Sequence, residues 1–533
     1  MLRCVGVLLL TLVLAGCGLR ETLVERGNRT QVLHRGIGAD LADLDPQFAT
    51  QASDYTVLSA LFEGLVGEDP VDLHPVPGVA ERWTVSPDGL VYTFTLRENA
   101  RWSNGDRVTA GDFLASWRRV LTPSLGAPNA SLLFVIQGAE AYNKGLAQFS
   151  QVGLAAPDAR TLQVTLEHPT PYFLSLLNHP VWFPVPLATI TKFGSPTERG
   201  NRWARPGQLV GNGPFTLATW SPGQEIVVEK SATYWDAKAV RLAAIHFHTI
   251  DSIDAEERAF RAGQLHVTET LPPGKVDAYR RDAPALLRID PLLGTYFYRL
   301  NTTRPFLSDV RIRRALALAV DREAIVDKIL RGGQLAAHAF VPPGLDGYKS
   351  VTTIPSDFAA ARQLLADAGY PGGKGLPPFE LLYNSSETHR AVAEAIQEMW
   401  RRELGLNVQL LNQELNSTLE ARRTGNYQIL RSVWTADYAD PGSFLDIWGT
   451  ASGNNYTGWS SPAYDALLFR AARTADPAAR NLLFQQAETL LLEAAPCIPI
   501  YHYTHVFLIQ PSVRGWHPTL LDHHPYKAVW LEN

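Results

Sequence analysis

ILRSVWTADYADPGSFL, residues 429–445, is the stretch on which the reading of this chain turns. Tyr427 to Trp434 reads as an apolar strand, and it delivers an acid, Asp437, between Trp434 and Tyr438. A lone carboxylate in an aromatic wall is costly to bury and calls for a cationic partner. The nearest basic residue in the chain is Arg431, so the sequence points to a cation from outside the protein. Upstream, Ser356 caps a helix that Gly369 ends, His389 to Glu403 forms an amphipathic helix stopped by Gly405, and Asn407 to Leu411 reads as a strand. Ser417 to Arg423 is a further helix, and Gly425-Asn426 a turn. Helix and strand alternating at short spacing predict an α/β sheet covered by helices, with ligands at the strand ends, where Asp437 stands.

The N-terminal half has more strand character. Trp83 to Leu96 reads as a hairpin turning at Pro87-Asp88-Gly89, with Tyr92, Phe94 and Leu96 on one face. Thr109 and Asp112 make a near capping box for a helix holding Phe113, Leu114 and Trp117, and Thr161 to Leu166 is a strand. In LVGNGPFTLATW, residues 209–220, the glycines around Asn212 and the following Pro214 predict a turn feeding a strand.

At 533 residues, the chain exceeds what one hydrophobic core organises, so two or three domains are expected. A net charge of −5 without long like-charge runs argues against nucleic-acid binding. The N-terminus MLRCVGVLLLTLVLAGC carries Arg3 and then an apolar run too short to span a bilayer permanently, which reads as a signal peptide over residues 1–16. Leu14-Ala15-Gly16-Cys17 resembles the bacterial lipobox, which makes Cys17 the lipidated first residue of the mature chain and 17–30 a tether. Of three cysteines, Cys4 and Cys17 belong to the signal and the anchor, so no internal disulfide can form and Cys497 is expected to be a small buried residue.

Catalytic signatures are missing: there is no Gly-x-Ser-x-Gly elbow and no His-Glu-x-x-His, and Gly36-Ile37-Gly38 does not complete a dinucleotide fingerprint. His246 and His248 lie two apart on a stretch that reads as a strand and share a face, but His266, His523 and His524 supply no zinc spacing, so surface or core histidines are the expected reading. Asp440, before Pro441-Gly442, reads as a turn residue. No cofactor, metal or enzymatic activity is expected.

A series of motifs in order carries a resemblance over almost the whole mature chain: LDPQ (44–47), LFEGLV (61–66), PVPGVAERW (75–83), TFTLRENARWSNGDRVTAGDFLASW (93–117), GNGPF (211–215), FLSDVRIRRALALAVDREAIV (306–326), LLYNSSETH (381–389), VWTADYADPGSFL (433–445) and NNYTGWSSPAYDALL (454–468). The sequence resembles the bacterial periplasmic oligopeptide-binding proteins of solute-binding protein family 5, the receptors of ABC peptide importers. The resemblance implies an α/β periplasmic-binding-protein type II fold with an extra lobe, three lobes in all, the ligand enclosed between two of them. The lobes are expected at 31–62 with 191–293 and 505–533, at 63–190 (the extra lobe), and at 294–504.

The resemblance also implies roles. Asp437 takes the peptide α-ammonium, and Trp434, with Ala436 and Tyr438 beside it, lines a side-chain pocket. Arg431 and Arg422 meet the peptide carboxylate; Asn454, Asn455, Tyr503 and Phe297 line pockets, and Leu415 stands where relatives of the enterobacterial type carry Trp. Two acids of those relatives are replaced by Thr50 and Arg299, which implies a preference away from basic side chains. Expected partners are short peptides, ABC permease subunits and a membrane held through the lipid anchor, with no nucleic acid and a monomeric state. The alternatives are an oligosaccharide, cell-wall peptide or metal chelate on the same fold, or a lipid-anchored hydrolase.

Overall fold

Three separate hydrophobic cores, each with its own sheet, organise the computed structural model, which describes residues 21–41, 43–436 and 438–533. The signal segment, Cys17 and Asp437 lie outside the described residues. The first core collects Leu33, Leu61, Trp203, Phe247, Phe507 and Val529 around four strands, in the order Val32–Gly36, Ala244–His248, Glu225–Lys230, Phe215–Ser221. The second gathers Phe94, Phe113, Trp117, Leu162 and Trp182 around Ala80–Val85, Val91–Leu96, Thr161–Thr165 and Leu154–Ala155. In the third, six strands run in the order Leu335–Ala336, Cys497–Leu508, Leu287–Leu300, Ile429–Thr435, Phe379–Asn384, Val408–Gln413.

Local signals explain most elements. The expected hairpin forms with Trp83 opposite Phe94, and Tyr92, Phe94 and Leu96 are buried while the residues between them are half-exposed. Thr109 and Asp112 complete a reciprocal capping box on the helix Ala110–Leu121. Gly405 and Gly425 end their helices in the left-handed conformation that glycine adopts without strain. The GNGPF turn has a packing reason: a Cβ on Gly211 would sit 2.2 Å from the carbonyl oxygen of Leu61, and Asn212 hydrogen-bonds both the amide and the carbonyl of Glu63. Cys497 is buried, as expected, and burial pushes its thiol pKa far up.

Two local expectations are corrected and a third is extended. The helix Phe358–Asp367 is capped by Asp357, whose carboxylate accepts from the Ala360 amide at 2.9 Å, because the Ser356 hydroxyl is spent on the Val320 carbonyl. Residues 23–30, expected within the tether, form a helix closed by a Thr22/Glu25 capping box, and Val24 donates to the Gly263 carbonyl at 2.9 Å. Asp440 does more than turn the chain: besides accepting the Gly442 amide at 2.7 Å, it forms a buried ion pair with Arg480. That partner lies 40 residues away, beyond any local pattern.

The cores are stitched together by long-range polar contacts. Asp45, in the LDPQ segment, meets Arg119 of the helix Ala110–Leu121 at 2.7 Å with both side chains almost fully buried. Arg119 also donates to Gln47 Oε1, and Trp203 to Asp45. Removing one partner leaves a buried charge uncompensated. Asp45→Ala is therefore expected to cost about 3–5 kcal/mol in urea unfolding. A loss below about 1 kcal/mol would show the pair to be solvated like a surface bridge.

Candidate functional site

A cavity of about 590 Å³ opens where the three cores meet. Thr50, Gln51 and Tyr55 border it from the first, Val66 to Glu68 and Asn178 from the second, Thr435 and Ala436 from the third, and Asp522 to Lys527 close one wall. Its polar lining is largely self-compensated. Glu63, whose carboxyl burial pushes up, accepts from Tyr234 and from Trp235 Nε1 at 2.6 Å, with Lys527 Nζ at 3.9 Å. Glu68, from the second core's side, grips His523 Nδ1 at 3.0 Å and raises its pKa against the pull of burial.

His505 is held between two acceptors, Asp522 Oδ1 at 2.8 Å and the Glu269 carbonyl at 2.6 Å. Both ring nitrogens can bond only if both carry protons, so the imidazolium is favoured and its pKa stands at about 9 although burial works the other way. The same contact holds Asp522 ionised far below the usual carboxylate range. Arg35 is buried against Glu269 at 3.6 Å and Tyr526 at 2.5 Å, with its Nε lacking a hydrogen bond among the described residues.

A second group of charges, two on the third core's sheet and one on the helix Leu415–Thr424, has the opposite character. Arg431 is carried by Ile429–Thr435, opposite Tyr298 of the central strand. It donates to Tyr503 Oη at 3.0 Å and Asn384 Oδ1 at 3.2 Å, and its guanidinium lies 4.8 Å from the Tyr296 ring. Arg422 sits 4.8 Å over the Tyr456 ring, which Arg299 approaches from 5.5 Å. Arg299 is buried and donates to Ser432 Oγ and the Asn454 carbonyl; burial and the nearby Arg422 charge lower its pKa to about 10. None of the three arginines has a carboxylate within ion-pair distance among the described residues, and Nε of both Arg431 and Arg422 is buried without a hydrogen bond.

The segment that carries Asp437 is anchored on both sides. Before it, Trp434 Nε1 donates to the Ser443 carbonyl at 2.6 Å and the Ala436 amide to Leu293 at 2.9 Å. After it, Tyr438 leaves the third core and stacks on Tyr172 of the second, rings 4.4 Å apart and 8° from parallel, with Arg480 5.2 Å from the Tyr172 ring. Among the residues expected at the site, Ala436 lines the cavity, and Arg431, Arg422, Asn454 and Tyr503 gather in or beside the arginine cluster. Phe297 lies fully buried between Phe340 and Trp448. Asn455 spends its amide on the carbonyls of Trp448, Gly449 and Trp459, and Leu415, half exposed, begins the helix Leu415–Thr424. Sequence reasoning did not single out Arg35, Glu68, His505 or Asp522, because their partners come from distant parts of the chain. The His523-His524 pair was the one local signal of this wall.

The model of "Bacterial extracellular solute-binding proteins, family 5 Middle" matches residues 74–456. The periplasmic oligopeptide-binding protein OppA of Escherichia coli K12 is 37% identical over 506 residues, covering 93% of this chain and 90% of that protein. The solved Escherichia coli murein tripeptide binding protein MppA superposes with a TM-score of 0.80 at 34% identity, covering 94% of this chain and 98% of its own. Haemophilus influenzae OppA in complex with RPPGFSPFR gives a TM-score of 0.79 at 30% identity, covering 95% and 99%.

The His505 contact yields a pH dependence with a definite sign. Its raised pKa makes its contribution complete below the unfolded value of 6.5 and lost as pH rises through about 9. Thermal melts of the wild type are expected to fall over that interval, and His505→Gln to flatten this part of the profile. An unchanged slope in the variant would assign the dependence to other groups.

Proposed function

We propose that this chain, which belongs to family 5 of the bacterial extracellular solute-binding proteins and has their α/β fold, is an extracytoplasmic receptor that binds short peptides and delivers them to the permease of an ABC importer. The observation that carries the reading is the cluster of Arg431, Arg422 and Arg299, buried or half-buried and without an acid at ion-pair distance among the described residues, the first and last on neighbouring strands of the sheet that leads to Asp437 and Arg422 on the helix Leu415–Thr424. A peptide would bring a carboxylate for an arginine and an α-ammonium for Asp437. The nonapeptide complex of the Haemophilus influenzae relative supports a ligand of this class. Extended main chain, bonded through its amides and carbonyls, would give affinity with little sequence selectivity.

In this reading the lobes are 31–62 with 191–293 and 505–533, 63–190, and 294–504, and the ligand lies between the first and the last. Residues 1–16 are a signal peptide, and acyl chains on Cys17 hold a monomeric receptor at a membrane face. No helix among the described residues is long and apolar enough to cross a membrane. A cell-wall peptide is the second reading, favoured by the likeness to the murein tripeptide binding protein. Mass spectrometry of the material released on denaturing protein purified from cells tests both: mixed peptides support the first, murein peptides the second, and sugars or metal chelates would overturn both.

Two binding measurements follow. Asp437→Ala is expected to weaken peptide binding by about 2–5 kcal/mol while leaving the melting curve in place, the cost of stranding one member of a charge-assisted pair. Calorimetry that finds wild-type affinity in this variant would remove Asp437 from the site. With Thr50 and Arg299 where relatives carry acids, matched tripeptides rich in Glu are expected to bind at least as tightly as those rich in Lys, and a clear preference for Lys would reject this selectivity.

A further inference from the structure

His246 and His248 acquire a third partner in the folded chain. Val32–Gly36 pairs in parallel with Ala244–His248, placing His34 opposite His246. Residues at alternate positions share a face, so His34, His246 and His248 stand together, while Arg35 points to the opposite side, where it borders the cavity. One nitrogen of each of the three rings lies within 4.8 Å of the other two. His34 Nδ1 and His248 Nε2 are 3.0 Å apart, and the His34 ring lies 4.9 Å from that of His246 and 5.3 Å from that of His248. Ligand atoms around a tetrahedral zinc ion, at about 2.0–2.1 Å from the metal, stand about 3.3 Å from one another. Modest side-chain rotation closes that gap.

The surroundings are those of a ligand set. Glu225, on the next strand and opposite His248, brings Oε2 to 3.2 Å from His246 Nδ1, so a carboxylate stands at the edge of the cluster. His266 is excluded as a ligand although it stacks on His34 at 5.8 Å: its Nδ1 accepts the His34 amide at 3.0 Å and its Nε2 meets Asn28 Oδ1. It forms the floor instead. His34 is almost fully buried whereas the His246 side chain is 29% exposed, which leaves an approach from solvent. A bond between His34 and His248 accounts for two rings but gives no reason for His246 and Glu225 to converge on them.

We propose that His34, His246 and His248 form a binding site for a late first-row divalent cation, zinc in the first instance, with Glu225 beside them. Imidazole ligands suit this class of ion rather than magnesium or calcium. Bound there, the ion would tie the strand Val32–Gly36 to the rest of the first sheet and raise the stability of the folded chain over the unfolded one. The site is separate from the peptide reading and does not depend on it.

The test uses the full chain, stripped with a chelator and titrated with zinc against a chromophoric chelator, and with cobalt to read its absorption spectrum. The expected result is one equivalent per chain, a tetrahedral cobalt spectrum, and a melting temperature raised by zinc. His246→Gln and His248→Asn, both at half-exposed positions, are each expected to weaken zinc binding by at least about 10-fold. The metal-free melt of His246→Gln, which gives up only a half-exposed contact with Glu225, is expected to match the wild type, which separates loss of ligand from loss of fold. The exposed group Asp69, Asp72 and His74 serves as control, and His74→Ala is expected to change nothing. Absence of stoichiometric binding in the wild type, retention of full affinity in both histidine variants, or loss of binding in His74→Ala would overturn the proposal.

Discussion

The antiparallel pairing of Leu287–Leu300 with Cys497–Leu508 is the contact on which the remaining architecture depends. These two long strands begin and end in different cores: Leu293 to Leu300 and Cys497 to Tyr501 are buried in the third, and Phe507 in the first. The register shift between Pro291 and Thr295 gives the ribbon the irregularity that lets it pass from one to the other. Ile429–Thr435 is laid down on the free edge of Leu287–Leu300, with Thr435 opposite Gly294. The approach is close, since a Cβ on Gly294 would stand 3.3 Å from the Tyr503 ring. The positions of Ala436 and Tyr438 are thus inherited from a strand pair far away in sequence.

Two kinds of electrostatics meet on this frame. The wall formed by Asp522, His523, His505, Glu68, Glu269 and Arg35 is closed on itself, each charge answered by another from a different part of the chain. Such a wall holds segments together. Among the described residues, Arg431, Arg299 and Arg422 are answered by aromatic rings and by hydroxyl and carbonyl oxygens rather than by carboxylates, which leaves their charge open to an anion. Aromatic faces stabilise a guanidinium while costing it none of its hydrogen-bonding directions. That asymmetry, more than the cavity's size, sets the arginine cluster apart from the wall.

Much of the fold could be read along the chain because its causes are local. The hairpin ending at Leu96, the capping box at Thr109 and the glycine stops at Gly405 and Gly425 each rest on residues within a few positions of one another. Where a second acceptor competed, the local reading slipped, as with Ser356, whose hydroxyl went to Val320 and left capping to Asp357. The site was legible only in part. The resemblance gave Arg431 and Tyr503 separate roles, and the 3.0 Å hydrogen bond that joins them emerges only in the fold; Asp440 seemed complete as a turn because Arg480 was out of view.

By itself the sequence determined the α/β alternation, the strand leading toward Asp437 and the family, since periodicity, capping chemistry and ordered motifs all act or are recorded along the chain. Tertiary structure alone decided which charges are answered and which are left open, how His34 joins His246 and His248, and why Tyr438 crosses to Tyr172. The reason is physical: a buried charge or a ligand set is defined by atoms within a few ångströms. Here those atoms come from segments tens to hundreds of residues apart, brought together only when the three cores close around two crossing strands.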